Sequence, residues 1–160
     1  MKTVIIAAIA ANGVIGKDGD LVQHHPADLR HFVRTTKGHP FVAGRKTFES
    51  FKKIPLPERE NIVLTRNRGY DAPEGVLVVH SFDEALEHCD RSGAERMFVL
   101  GGAEVYRIAL PHTDEMVITH FPEPAAGDTY FPEWNAAEWE VVDSHRKEGL
   151  TFSIYRRNTL

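Results

Sequence analysis

Three stretches of this 160-residue chain set glycines, hydroxyls and cations where a phosphate can be held. Met97-Phe98-Val99-Leu100 leads into Gly101-Gly102-Ala103-Glu104-Val105-Tyr106. Backbone free of side chains can approach a phosphate there, and a helix N-terminus aims its amides at it. Phe41-Val42-Ala43 leads into Gly44-Arg45-Lys46-Thr47, placing two cations at a helix end whose dipole prefers negative groups. A bound anion removes that conflict. Ile62-Val63-Leu64 leads into Thr65-Arg66-Asn67-Arg68, again a hydroxyl with cations. Any one of these is ordinarily a tight connection or a solvated turn. Three at the exits of apolar runs point to a dinucleotide, and Arg45, Lys46 and Arg66 suit a 2′-phosphate, so the expected cofactor is NADPH. The G-x-G-x-x-G fingerprint is absent after the first apolar run, which excludes an ordinary Rossmann domain.

A second kind of chemistry centres on one acid. Asp28 lies in the first turn of a helix starting at Pro26, and Phe32, four residues on, shares its face. Together they can hold a flat heterocycle, the carboxylate by paired hydrogen bonds and the ring by packing. The plainer reading is an acid that serves the helix dipole. Burial would raise its pKa and the helix N-terminus would lower it. His24, His25 and His31 around Asp28 sketch a metal site, but His25 and His31 are six apart rather than three or four. They read instead as a polar edge, and no metal is expected.

The elements that must position these groups follow from short, continuous apolar runs: Val4 to Ala10, Phe41 to Ala43, Ile62 to Leu64, Val76 to Val79, Met97 to Leu100 and Met116 to Ile118. Continuous rather than alternating runs mark strands covered on both faces. Helices are predicted over Pro26 to Thr36, with Leu29, Phe32 and Val33 on its apolar side, over Thr47 to Lys53 and over Glu104 to Leu110. Another follows the capping box Ser81-Phe82-Asp83-Glu84. Trp139 to Val142 and Phe152 to Tyr155, joined through Lys147-Glu148-Gly149, read as an antiparallel hairpin. The expectation is a single α/β domain over residues 1–160. Its open sheet is mostly parallel, with helices on both faces and a closing antiparallel hairpin.

Composition narrows the functional classes. Lys and Arg number 19 against 23 Asp and Glu, a net charge of −4 that opposes phosphate-neutralising contact with nucleic acid. Hydrophobic residues at 42% and charged residues at 26% fit a globular core and exclude disorder or a coiled coil. Cys89 is the only cysteine, which excludes a disulfide framework and suits a reducing compartment. The run from Thr3 to Ala11 is read as a buried strand rather than a signal peptide, and no stretch nears the ~20 apolar residues of a membrane span. A cytoplasmic protein is expected.

Taken together, Ile6-Ala7-Ala8, Gly13-Val14-Ile15-Gly16, Pro26-Ala27-Asp28-Leu29-Arg30-His31-Phe32 and Gly44-Arg45-Lys46-Thr47-Phe48-Glu49-Ser50 resemble the dihydrofolate reductases. So do Leu56-Pro57-Glu58-Arg59-Glu60-Asn61, Gly101-Gly102-Ala103-Glu104-Val105-Tyr106, Thr119-His120 and Gly127-Asp128-Thr129. The motifs run in order along essentially the whole chain. The resemblance implies NADPH-dependent reduction of 7,8-dihydrofolate to tetrahydrofolate by a monomer. Hydride passes to C6, and Asp28, buttressed by Thr119, promotes protonation at N5. It also implies a folate pocket lined by Ile6, Ala8, Leu29, Phe32, Phe51, Leu56, Leu100 and Tyr106, with Arg59 paired to the glutamyl carboxylate.

For the cofactor the resemblance implies Ala8, Ile15, Gly16, Gly44, Arg45, Lys46, Thr47, Leu64, Thr65, Arg66 and Thr129. Gly101 to Tyr106 complete that set, with a cis peptide between Gly101 and Gly102. Ala10 to His25 matches the family's mobile active-site loop, to which Gly13, Gly16 and Gly19 lend backbone freedom. One departure stands out: Gln23 occupies the position of a tryptophan in most members. It keeps an N–H donor for a bridging water but loses the ring's area, so altered folate affinity is expected. Two alternatives share the fold or the cofactor. One is the pyrimidine reductase of riboflavin synthesis, which lacks a pocket aspartate, and the other is a non-catalytic NADPH-binding module.

Overall fold

The apolar runs do form strands, and the sheet they build is mixed. In the computed structural model, which describes residues 1–17, 20–21 and 25–158, the chain opens with β1 (Lys2–Ile9), β2 (Val14–Lys17), β3 (Asp20–Leu21) and α1 (Pro26–Thr36). It continues through β4 (Phe41–Gly44), α2 (Arg45–Glu49), β5 (Asn61–Leu64), β6 (Val76–Val79), α3 (Phe82–Arg91), β7 (Arg96–Val99) and α4 (Ala103–Ala109). It closes with β8 (Glu115–His120), β9 (Thr129–Tyr130), β10 (Trp139–Lys147) and β11 (Leu150–Arg157).

The main sheet has the order β10-β11-β8-β1-β7-β4-β5-β6. Pairings from β8 through to β6 are parallel, and β11 joins antiparallel to both β8 and β10. Alternate residues of β1 serve opposite faces, as strand geometry requires. Val4 and Ile6 pack with Phe41, Phe48 and Phe98, whereas Ile5, Ala7 and Ile9 pack with Val42, Phe82, Val105 and Tyr106. Helices therefore cover both faces. Each large apolar side chain buried there contributes about 1.5–3 kcal/mol.

Three expectations change. Part of the segment read as a loop from Ala10 to His25 forms a second, three-stranded sheet of order β3-β2-β9, with Val14 opposite Tyr130 and Gly16 opposite Thr129. Val14 and Ile15 are buried, which anchors it. α2 starts two residues earlier than predicted and stops at Glu49, where the Ser50 hydroxyl donates to Thr47 O at 2.6 Å. Pro55 drives its predecessor Ile54 out of the α region, which bars any helix from running on past Lys53. Finally, Leu29 and Val33 of α1 are 62% and 41% exposed and only Phe32 is half-buried, so the apolar side is not all packed.

The capping signals hold with one shift. Ser81 Oγ accepts from Glu84 N at 3.2 Å, while the Glu84 carboxylate accepts from His80 N at 3.3 Å instead of from Ser81. The hairpin turn sits at Glu148 and Gly149, both with positive φ (51° and 81°), the pairing that matches the twist of its strands.

Candidate active site

The carboxyl ends of β4, β5, β6 and β7 open together into a cleft of about 560 Å³. Its floor is backbone. The Gly44 N–H donates to Gly101 O at 2.7 Å, and a Cβ on Gly44 would lie 3.3 Å from Val105 Cγ2. Gly101 and Gly102 are joined by a cis peptide, and Gly101 has φ +102°, with an added Cβ only 2.9 Å from the Tyr106 ring. No side chain fits that position without displacing the ring. Two short helices, α2 and α4, begin here with glycine caps that contribute no side-chain hydrogen bond, so their first amides face the cleft unclaimed.

Cations ring the mouth and are partly engaged. Arg45 Nη1 meets Glu49 at 2.9 Å and Arg66 Nη2 meets Glu104 at 2.6 Å, both pairs at the surface. Lys46 has no ion-pair partner among the described residues.

On the β1 side the cleft reaches Tyr106, whose hydroxyl donates to Ile6 O at 2.8 Å and Leu100 O at 3.0 Å. That bifurcated bond ties the end of β7 to β1. Burial pushes the Tyr106 phenol far up, and the charge of Asp28 adds to this, which places Asp28 within electrostatic reach of the cleft wall. Burial also holds the Asp28 carboxyl above its ordinary value, against the opposing pull of a hydrogen bond with Thr119 and of the His25 imidazole. Thr119 stands on β8 between Ala8 of β1 and Phe152 of β11. Ile6, Phe32, Phe51, Leu56 and Leu100 share one apolar cluster, with the Phe32 and Phe51 rings 6.4 Å apart. Beyond it lies Arg59, whose Nε is buried without a hydrogen-bond partner among the described residues and whose proton affinity burial lowers.

Comparison with known proteins matches this arrangement. The family model described as dihydrofolate reductase matches residues 2–157. The chain belongs to the dihydrofolate reductase family. It is 42% identical over 164 residues to "Dihydrofolate reductase HdrB" of Haloferax volcanii, covering 98% of this chain and 84% of that protein. It is 42% identical over 145 residues to the dihydrofolate reductase of Bacillus subtilis, covering 88% and 82%. The structure of the Enterococcus faecalis dihydrofolate reductase complexed with NADP(H) and RAB-propyl superimposes with a TM-score of 0.89. Its identity is 38%, with 99% of this chain and 97% of that one covered.

Against that family background, the predicted residues divide in a simple way. Ile15, Gly16, Gly44, Arg45, Lys46, Thr47, Leu64, Thr65, Arg66, Gly102, Ala103, Glu104, Val105, Tyr106 and Thr129 all line the cleft, together with Leu100. Ala8 and Gly101 stand behind its wall, Ala8 packing with Ala27 and Phe121. Gln23 lies outside the described residues. His25 is a helix cap: its Nδ1 accepts from Ala27 N at 3.0 Å. His31 lies near Phe152, ring centroids 4.6 Å apart, one helical turn on from Asp28.

Sequence reasoning missed Ser50, His80, Ser81, Phe82 and Ile108 in the cleft wall. The signal for three of them was present, since the capping box at Ser81 follows directly on an apolar run and so marks a fourth strand exit. It also missed Asn61 as a positioning residue. Asn61 is 2% exposed, bonds both N–H and C=O of Leu56 at 2.7 and 2.9 Å, and donates to Arg59 O at 2.9 Å. It fixes the loop that carries two predicted substrate contacts.

Proposed function

We propose that this chain, working as one domain, reduces 7,8-dihydrofolate to 5,6,7,8-tetrahydrofolate with NADPH. What carries the reading is the placement of one half-buried acid, Asp28, beside the inner end of a cleft built for a dinucleotide phosphate. The cleft fits that cofactor on its own terms. Its glycine floor leaves room that a Cβ would fill, helix starts present amides, and Arg45, Lys46 and Arg66 stand at the mouth. When bound, NADPH supplies the hydride that goes to C6 of the pterin.

The other steps belong to the chain's own residues. Asp28 accepts from the pterin's amino and ring N–H groups, and burial, by raising its pKa above the ordinary carboxylate value, favours its role in promoting protonation at N5. Thr119 orients the Asp28 carboxyl. Phe32, Phe51, Leu56 and Ile6 present apolar surface to the flat ring and benzoyl group and exclude water. The buried, unpartnered Nε of Arg59 calls for an acceptor, and the glutamyl carboxylate provides one in the geometry a guanidinium favours.

We place this reaction in the cytoplasm, in a monomer that takes no nucleic-acid partner. The net charge of −4 supports the absence of a nucleic-acid partner, the single, buried Cys89 suits a reducing compartment, and the monomer rests on the family resemblance alone. No helix among the described residues is long and apolar enough to cross a membrane.

NADPH consumption by the purified protein with dihydrofolate tests the reading, beside Asp28→Asn and beside NADH. Turnover that prefers NADPH and collapses in Asp28→Asn supports both halves of the site. Tight NADPH binding without turnover would reject the substrate half and favour a pyrimidine reductase or a silent binding module.

A further inference from the structure

Along one flank of α1, a second cavity of about 20 Å³ opens between the helix and the β10–β11 hairpin. We propose that it binds a small oxyanion of the phosphate or sulfate class, with one oxygen seated in the cavity and the rest held at its rim. This site is independent of the reductase reading.

Size sets the first limit. One water-sized sphere needs ~10–15 Å³, so this cavity admits a single oxygen atom and leaves the remainder of the ligand outside. Charge decides what that atom belongs to. Arg30, Arg34 and Lys147 line the cavity against one carboxylate, Glu148, which Arg30 already holds at 2.7 Å. Arg34 and Lys147 are exposed and have no ion-pair partner among the described residues, in a chain whose net charge is −4. Cations gathered in one spot of an acidic protein are not a general surface property.

His31 lines the cavity and carries an unsatisfied ring nitrogen. Its Nε2 is buried with no hydrogen-bond partner among the described residues, and buried polar atoms of this kind nearly always have one. An anion oxygen in the cavity gives it an acceptor. Burial, Arg34 and His145 all lower the proton affinity of His31, so two neighbouring groups impose a positive potential on the ring. The other titratable groups facing it are Lys147 and Glu148, and Asp143 offsets His145 at 3.5 Å. Phe152 lies between the two imidazoles, 4.6 Å from His31 and 5.5 Å from His145, and fixes both rings in place. The rim thus combines two guanidinium forks and an ammonium, the groups that match a tetrahedral oxyanion.

The test is histidine NMR on the full chain, with sodium phosphate titrated against sodium chloride at matched ionic strength and constant pH. The His31 and His145 ring signals are assigned by His31→Gln and His145→Gln. Both should shift saturably with phosphate and not with chloride, and the surface double variant Arg34→Gln/Lys147→Gln should weaken the apparent Kd by about tenfold or more. Unmoved signals from the other histidines show that this variant is folded. Arg45→Gln/Arg66→Gln, which alters only the cofactor mouth, should leave the shift intact. Equal shifts with chloride, an unchanged Kd in the rim variant, or a shift lost in the cofactor-mouth variant would overturn the proposal and leave a cavity that holds water alone.

Discussion

The proposed cofactor half and the proposed substrate half of this site are made of different material. Around the cleft, recognition rests on backbone amides, glycines that admit close approach, and cations tethered at the surface by Glu49 and Glu104. Around Asp28 it rests on packed side chains and one carboxyl whose pKa burial has moved. A surface cation in water contributes little and is replaceable, whereas a buried group left alone cannot be re-solvated. The cofactor half should therefore degrade gradually under substitution and the substrate half abruptly.

The largest contrast is at Asp28. Asp28→Asn should cut turnover near neutral pH by roughly 10²–10⁴, with a smaller loss in acid, where solvent supplies the proton. A pH series of kcat checks this, and an equal loss at every pH would take Asp28 out of proton delivery. Next comes Arg59→Gln, expected to raise KM for dihydrofolate about 10–100-fold with kcat nearly constant, the signature of lost uniform binding to a charged group. Steady-state kinetics with a pterin lacking the glutamyl group should then show no difference between the two proteins.

Glu104→Gln acts in the opposite direction and more weakly. Freed from its 2.6 Å partner, Arg66 becomes fully available to a 2′-phosphate, and NADPH should bind about 2–5-fold tighter while NADH is unaffected. Fluorescence titration of both nucleotides decides it. The smallest effect is on stability. Because the folded-state pKa of Asp28 is raised, its charged form costs stability above that pKa, and the cost vanishes below the unfolded value of 3.8. Asp28→Asn should melt slightly higher than the parent at neutral pH, with the two converging in acid. A variant that is less active yet more stable would sharpen the contrast between the halves.

The same contrast explains what could be read beforehand. Strand exits that hold phosphate need local sequence features, glycines and cations next to apolar runs, and these were visible at Gly44, Arg66 and Gly101. Pairings between distant residues were not. Nothing near Arg66 announces Glu104, 38 positions away, and strands as short as β3 and β9 carry no periodicity of their own. The direction of the Asp28 shift depends on how deeply the fold buries it, which composition and spacing do not encode. Resemblance to a family filled part of that gap by placing Thr119 opposite Asp28. The tryptophan position at Gln23 lies outside the described residues.

Strand order also has a consequence in time. β1 is made well before its partners β7 and β8, which begin at Arg96 and Glu115, and β8 gains its outer neighbour only with Leu150–Arg157. At roughly 5–20 residues per second, the newborn apolar strand waits on the order of ten seconds for the sheet that will cover it. Asp28 emerges early and Thr119 late, and the hairpin that braces Thr119 emerges last. A nascent chain therefore carries the Asp28 carboxylate for a long stretch of synthesis without Thr119, and the wall behind Thr119 is complete only once β11 has paired with β8.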